Sequence, residues 1–265
     1  MPYVDIVSKD DYCCLFYRTN ARYNNVGSFD PEKPTVILLH AYCLGSEWLL
    51  SRFDHVELRT GYNLIAFDQR CCGRTENRIS ERHDSWVDAA DVAFACKYLN
   101  LPPAHVFAEE SLAVSCALRL AALFPSLVLS LTLCNVPPPT PLQRSLDATD
   151  EMLRNWCTAE DIESYEQAAQ DFIDNASSSQ IDPDLKDDLV EWLECQYPPN
   201  YRTRLVEHLN VQLNMSPLSD NELASITQPV LIIQVCTLFS PPNAPLRPIR
   251  RQSGARPARS SPQKN

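Results

Sequence analysis

The 265-residue chain is poor in basic charge over most of its length. Residues 1–222 carry 17 Lys and Arg against 34 Asp and Glu, and the remaining six basic residues all lie in residues 223–265, where no acidic residue occurs. Phosphate groups are bound mainly by Lys and Arg. The acidic body therefore argues against nucleic acid or an anionic membrane surface as a partner, and only the basic tail departs from this pattern.

Long apolar runs are also absent. The longest one, residues 120–134, is interrupted by Pro125 and by serines and is too short to cross a bilayer. The first twenty residues contain Lys9-Asp10-Asp11 and no unbroken apolar core, so a secretory signal is not expected. We predict a soluble intracellular protein of the cytoplasm, with no membrane span and an oligomeric state that the sequence leaves unknown.

The eleven cysteines lack the spacing of a zinc site or of a disulfide framework. Their number is odd, and the adjacent pairs Cys13-Cys14 and Cys71-Cys72 do not form the C-x-x-C spacing of metal sites. In a reducing compartment such cysteines behave as small apolar residues. The sequence therefore predicts no metal ligands and no cofactor.

What is present is an alternation of β-favouring and amphipathic segments. An N-terminal hairpin and five later runs read as strands, and helix-sized stretches separate the later runs from one another. The predicted strands are residues 3–7, 12–17, 34–39, 63–67, 105–108, 129–134 and 228–234, and the predicted helices in the first half are 46–53, 85–99 and the segment after 111. This order predicts an α/β fold with a mostly parallel sheet and helices on both faces.

The proline cluster at residues 137–141 ends this alternation, because proline continues neither a helix nor a central strand. Residues 142–215 show helical periodicity only, which predicts a helical lid over the carboxyl edge of the sheet. We therefore divide the chain into the N-terminal part of the core (1–136), the lid (137–222), a seventh strand of the core (223–240) and a disordered, basic, proline-rich tail (241–265).

Three motifs in this order resemble the α/β-hydrolase superfamily. His40-Ala41 looks like the HG turn of the oxyanion loop, residues 68–75 look like the D-x-R-x-x-G-x-S turn, and residues 109–113 occupy the G-x-S-x-G nucleophile elbow. The resemblance covers roughly residues 1–235. It implies an α/β-hydrolase fold whose last strand and helix are missing from the C-terminal end.

Carried over residue by residue, the resemblance implies Ser111 as the nucleophile, with the backbone N–H groups of Tyr42 and Leu112 as oxyanion donors. The family's acid follows the strand that here is 230–234, yet residues 235–240 contain none, and no histidine follows His208. His208 is thus the remaining candidate base. A change of reading frame near Val235 would produce such an end.

The elbow departs from the family pattern as well. Glu109 stands where glycine is favoured, and Glu110 places a second carboxylate beside Ser111. Reading Glu110 as the nucleophile breaks the match of the following helix, so Ser111 keeps that role. Ser111 as a helix-start residue, and Glu109 with Glu110 as an acid/base pair, remain alternatives.

Residues 1–12 and 129–137 are similar to hydrolases of fungal secondary-metabolite clusters, in particular those of host-selective toxins of the AK-, AF- and ACT-toxin type. This narrower resemblance implies an esterase, thioesterase or epoxide-hydrolase-like enzyme that acts on a small apolar acyl or ester compound in toxin biosynthesis and virulence. It also implies a peroxisomal location as an alternative, although the C-terminus lacks an S-K-L signal. The rival hypothesis is a catalytically degenerate or truncated homologue that binds a ligand or has no activity.

Overall fold

The chain builds one sheet from eight strands. The computed structural model describes residues 2–80, 83–176 and 181–234. The strands are β1 (Tyr3–Val7), β2 (Tyr12–Thr19), β3 (Thr35–Leu39), β4 (Asn63–Phe67), β5 (Glu76–Asn77), β6 (Ala104–Glu109), β7 (Val128–Cys134) and β8 (Val230–Ile233). Seven of them follow the order β1-β2-β4-β3-β6-β7-β8, and β5 pairs with β2.

The sheet is parallel from β4 to β8 and antiparallel at its N-terminal edge. β1 and β2 form the predicted hairpin, with Tyr3 opposite Phe16, and β2 pairs antiparallel with β4. β3 pairs parallel with β4 and β6, and β7 pairs parallel with β6 and β8. The predicted α/β fold with a mostly parallel sheet is therefore confirmed.

The central strands are apolar because both of their faces are covered. Along β3, Ile37 and Leu39 point to the face packed by the helices of the main core, and Leu38 points to the opposite face. Successive side chains of a strand alternate between faces, so a strand buried on both sides needs a continuous apolar run. All five residues of β4 are accordingly buried.

Nine α-helices accompany the sheet in the described residues. They are α1 (Leu50–Asp54), α2 (Val56–Gly61), α3 (Ser85–Tyr98), α4 (Ser111–Leu123), α5 (Gln143–Thr158), α6 (Ile162–Ala176), α7 (Pro183–Gln196), α8 (Arg202–Leu213) and α9 (Asp220–Ser225). The Asp84 side chain caps α3 by accepting the N–H groups of Trp86 and Val87. The predicted lid region is helical from α5 to α9, and none of the helices in the described ranges is long and apolar enough to cross a membrane.

The lid has its own apolar core. Trp156 is 1% exposed and meets Tyr165 edge-on, with ring centroids 4.8 Å apart. Phe172 packs on the same indole and also stacks on Tyr42, which belongs to the loop after β3. The lid core therefore extends to the carboxyl edge of the sheet.

The last described strand, β8, is an edge strand whose four aliphatic side chains are all exposed. The described chain ends one residue later, at Gln234. The predicted loss of the last strand and helix, and the predicted disorder of residues 241–265, lie outside the described residues. The described ranges belong to one compact unit that spans residues 1–235, so the division into core and lid is a division within that unit.

Candidate functional site

The loop after β3 begins with a histidine that fixes the backbone. His40 Nε2 accepts the N–H of Gln69 at 3.0 Å, and Nδ1 lies 2.8 Å from the carbonyl oxygen of Ala41. A nitrogen that accepts carries no proton, so the proton of the neutral ring is on Nδ1. The ring is 1% exposed and both nitrogens are used, so His40 has a structural role in this loop.

The turn after β4 is held by Asp68. Its Oδ1 accepts the N–H of Ser46 at 2.6 Å, and its Oδ2 accepts the N–H of Arg74 at 2.8 Å. Gly73 has a φ of +50°, and a Cβ there would lie 2.0 Å from Asp68 Oδ2. This position therefore requires glycine, both for its left-handed backbone and for its contact with the carboxylate.

Arg70 in the same turn is a buried structural cation. Its Nε and Nη2 donate to the two carboxylate oxygens of Asp91 at 2.6 and 3.2 Å, and Nη1 contacts Asp11. Burial alone lowers the pKa of Arg70, but the hydrogen bonds and charge of Asp91 outweigh it and raise the pKa. Asp68 and Arg70 thus stabilise the turn.

The strained residue of the strand–helix elbow is Glu110, one position before the predicted nucleophile. Glu110 has φ +66° and ψ 151°, a region that is essentially restricted to glycine, whereas Ser111 is the first residue of α4. The N–H of Glu110 donates to the carbonyl oxygen of Cys134 at 2.9 Å, which anchors the turn to β7. The small residue that an elbow needs two positions before the strained one is Ala108, which is fully buried.

The structure gives the strained position of the elbow to Glu110, whereas the sequence analysis gave it to Ser111. The reason for this difference lies in the neighbouring residues. Ser111 would be the elbow residue if α4 began at Leu112. In the structure α4 begins at Ser111, so the residue before the helix is Glu110. The sequence signal for the observed register is the small side chain of Ala108, which is fully buried two positions before Glu110, whereas Glu109 is partly exposed and pairs with Arg52. None of the hydrogen bonds among the described residues involves the hydroxyl of Ser111.

The two carboxylates of the elbow differ in their surroundings. Glu109 Oε1 accepts from Arg52 Nη2 at 2.9 Å, so its charge is compensated. The Glu110 residue reaches solvent, yet the protein around its carboxylate raises its pKa by desolvation, and the charge of Glu109 raises it further. Glu110 in turn contributes to raising the pKa of Tyr42 and Cys43, after burial and the neighbouring thiols, so its charge acts on the loop after β3.

Tyr42, predicted as an oxyanion donor through its backbone, also presents a side chain. Its ring stacks on Phe172 at 6.0 Å, and its buried hydroxyl has no hydrogen-bond partner among the described residues. A buried donor left unpaired costs about 1–3 kcal/mol. The predicted second donor, Leu112, is the second residue of α4, where the N–H groups of a helix have no intrahelical acceptor.

His208, the candidate base, is engaged away from Ser111. Its Nε2 accepts the N–H of Cys43 at 3.2 Å, and its Nδ1 lies 3.5 Å from Cys72 Sγ. Burial lowers its pKa to about 3, and the charge of His83 adds to this effect. The structure thus uses the basic nitrogen of His208 to hold the loop, and no hydrogen bond of the described residues joins the imidazole to Ser111 or Glu110.

The remaining histidines do not supply a base to the elbow either. His55 is exposed, and His83 is bound by Asp88. His105 Nδ1 lies 2.7 Å from Ser130 Oγ, beside a cavity of about 340 Å³ between the sheet and α1 and α2. His105 is the second residue of β6 and Ser130 the third of β7, so this Ser–His pair lies away from the carboxyl ends of the strands. The predicted acid after β8 falls on residues 235–240, which lie outside the described residues.

Comparison with known proteins agrees with this architecture. The model of the alpha/beta hydrolase fold family matches residues 34–177. Among solved structures, the chain is similar to an enol-lactonase from Burkholderia xenovorans at 14% identity and a TM-score of 0.63, with 87% of this chain and 80% of that chain covered. It is similar to a thermophilic esterase from Thermogutta terrifontis at 15% and 0.64, covering 88% and 80%, and to a hydrolase from Pseudomonas aeruginosa at 14% and 0.63, covering 88% and 90%.

No curated protein sequence matches this chain. The narrower resemblance to fungal toxin-cluster hydrolases therefore stays a prediction from residues 1–12 and 129–137. At these levels of identity the structural similarities establish the fold, and the chemistry has to be argued from the residues of the site.

Proposed function

Because the chain belongs to the α/β-hydrolase fold family, whose model matches residues 34–177, we propose that it hydrolyses esters or thioesters of a small apolar acyl group at the elbow formed by Glu110 and Ser111. The observation that carries this proposal is the backbone of Glu110, held at φ +66° and ψ 151° at the end of β6. Non-glycine residues persist in this conformation when the surrounding structure imposes it, and such residues cluster at active sites.

The geometry favours Glu110 as a general base. Its carboxylate takes a proton from a water molecule while the water oxygen attacks the acyl carbon, and the carbonyl electron pair moves to the carbonyl oxygen. The backbone N–H groups of Tyr42 and Leu112 are the donors proposed for that oxyanion. When the intermediate collapses, the leaving alkoxide or thiolate takes the proton back from Glu110. One water is consumed, and one acid and one alcohol or thiol are released.

This mechanism does not require the acid and the late histidine that the family's serine mechanism uses. A carboxylate base acts without a histidine or an orienting acid, whereas a serine nucleophile needs a neighbouring base, most often a histidine held by an acid, to take its proton. Burial and the charge of Glu109 raise the pKa of Glu110, which strengthens it as a base near neutral pH. The rival mechanism, with Ser111 as nucleophile, lacks a base among the contacts recorded for the described residues.

An apolar acyl substrate is supported by the surroundings of the loop after β3. Tyr42 stacks on Phe172, and together they join the apolar core of the lid. The unpaired Tyr42 hydroxyl offers one polar contact in these surroundings. The further proposals of a role in fungal toxin biosynthesis and of a peroxisomal location depend on the resemblance of residues 1–12 and 129–137 alone.

The test is turnover of p-nitrophenyl acetate and butyrate by the purified full chain and by Glu110→Gln, Ser111→Ala and Ser130→Ala. We expect Glu110→Gln to lower kcat by about 10²–10⁴-fold, the usual contribution of a general base. Ser111→Ala should lose far less. Ser130→Ala is the matched control, because Ser130 is the serine that does contact a histidine.

Two results would refute this assignment. One is equal turnover by the wild type and Glu110→Gln. The other is loss of activity in Ser111→Ala together with fluorophosphonate labelling of Ser111 in the wild type, which would establish the serine mechanism.

A second candidate function, a binding protein without turnover, is favoured by the position of His208. Its Nε2 is occupied by the Cys43 N–H, which is a contact that stabilises a loop and performs no chemistry. If the wild type hydrolyses neither ester above the buffer rate at any pH but binds a non-hydrolysable ketone analogue, this second candidate is correct.

A further inference from the structure

A buried cluster of three side chains lies between the core and the lid. Cys71 follows β4, His83 precedes α3, and Glu207 lies on α8. Cys71 Sγ and one donor atom each of His83 and Glu207 all lie within 4.8 Å of one another. The side chains of His83 and Glu207 are 2% and 5% exposed, so the cluster is shielded from solvent.

Two polar atoms in this cluster have no hydrogen-bond partner. They are His83 Nδ1 and Glu207 Oε1, which lie 4.0 Å apart. Buried polar atoms are nearly always paired, and each exception calls for an explanation such as an ion. Both atoms are lone-pair donors to a metal when the imidazole is neutral and the carboxylate is ionised.

The other atoms of these side chains are already held by neighbours. His83 Nε2 lies 2.8 Å from Asp88 Oδ1, Glu207 Oε2 accepts the N–H of Ser80 at 2.7 Å, and Asn77 Nδ2 lies 3.6 Å from Cys71 Sγ. A carboxylate on the far nitrogen of a histidine is the usual support of a metal-binding imidazole, because it fixes the ring and leaves the near nitrogen free.

We propose that Cys71, His83 and Glu207 bind one transition-metal ion, with Zn²⁺ as the best fit. Thiolate, imidazole and carboxylate are all zinc ligands, with bonds of about 2.0–2.3 Å. Ligand atoms around such an ion lie roughly 3.3–3.8 Å apart, so the three donors need to close by about 1.5 Å at most. A water molecule or the second oxygen of Glu207 completes the coordination.

Since Glu207 belongs to the lid and the other two ligands to the core, the ion would cross-link α8 to the turn after β4.

The test uses the full chain after chelator treatment, titrated with Zn²⁺ against a chromophoric chelator and, separately, with Co²⁺ followed by its visible spectrum. We expect one equivalent of metal, a thiolate-to-cobalt absorption band, and a higher thermal midpoint with zinc than with chelator. Cys71→Ser and His83→Gln should lose the band and the zinc-dependent shift. The matched controls are Cys157→Ser and His55→Gln, whose parent side chains are exposed.

The proposal is overturned if the chain binds no stoichiometric zinc or cobalt. It is also overturned if the cobalt absorption band persists in Cys71→Ser or His83→Gln. In either case the cluster is a histidine–carboxylate network that holds a proton. Because a cluster variant can lose stability by itself, circular dichroism of each metal-free variant is measured first, and Glu207→Gln replaces any variant that does not fold. Metal content is read directly, so this result is independent of ester turnover.

Discussion

The turn after β4, which Asp68 holds, provides the sharpest test of the structure. The test is the substitution Gly73→Ala. A Cβ on Gly73 would lie 2.0 Å from Asp68 Oδ2 and 2.5 Å from its Cγ, which no real contact allows. The carboxylate cannot move freely, because it accepts the N–H groups of Ser46 and Arg74. The substitution must therefore break this arrangement.

The expected magnitude follows from those two bonds. Each hydrogen bond to a charged group contributes about 1.5–3 kcal/mol, so losing both costs roughly 3–6 kcal/mol. A left-handed alanine adds about 1–2 kcal/mol. This is a large part of a typical stability of about 5–15 kcal/mol. With an m-value of about 3 kcal/mol/M, the urea midpoint should fall by about 1–3 M.

The matched control is Gly61→Ala at the end of α2. No heavy atom lies within 4 Å of a Cβ there, and its φ is not in the left-handed region. We expect a gain of about 0.5–1 kcal/mol, because alanine loses less backbone entropy on folding than glycine. The two Gly→Ala changes should thus shift the free energy of unfolding in opposite directions.

The clash itself is isolated by repeating Gly73→Ala in an Asp68→Ala background. Without the carboxylate, only the left-handed strain of about 1–2 kcal/mol remains. The reasoning fails if Gly73→Ala costs the same in both backgrounds, or if it is as harmless as Gly61→Ala.

Three further outcomes are expected. Glu109→Gln removes a charge that raises the pKa of Glu110, so the acid limb of the pH–rate profile should move to lower pH; an unchanged limb would exclude Glu110 as the base. Trp156→Ala should cost about 3–5 kcal/mol in urea unfolding, as for other buried aromatics, and a cost below about 1 kcal/mol would contradict the packing of the lid. Because the pKa of His208 is about 3 in the folded state and about 6.5 when unfolded, the unfolded state binds more protons between these values. The free energy of unfolding should therefore fall as the pH drops through that window. His208→Gln keeps an acceptor for the Cys43 N–H and should reduce this pH dependence. An equal pH dependence of the free energy of unfolding in both proteins would place His208 outside the core.

The elements of the fold were predictable because their signals are local. The continuous apolar run of β3 indicates a strand covered on both faces, and the structure covers it on both. The proline cluster at residues 137–141 marks the change from alternating segments to the helical lid. Each of these signals depends on side chains only a few residues apart, so it can be read from the sequence without knowledge of the tertiary contacts.

The site was predictable only as a region. Strand–turn–helix periodicity places the elbow near residues 109–111, but periodicity does not define which residue takes the strained conformation. That is decided by Ala108, which is packed in the core, and by the anchoring of Glu110 to Cys134 on another strand. A shift of one residue changes the side chain at the strained position from the hydroxyl of Ser111 to the carboxylate of Glu110.

The sequence by itself indicated the alternation of the longer strands with helices, the helical segment after residue 141 and the region of the elbow, because these follow from the spacing of apolar and turn residues; it did not indicate β5, α2 or the order of the strands in the sheet. Only the tertiary structure decided that Glu110 carries the strain, that His208 is bound to the loop after β3, and that Cys71, His83 and Glu207 meet. Their sequence separation leaves no pattern to read. Cys71, His83 and Glu207 meet because the lid helix α8 folds back onto the turn after β4. Contacts between such distant segments exist only once the whole chain has packed.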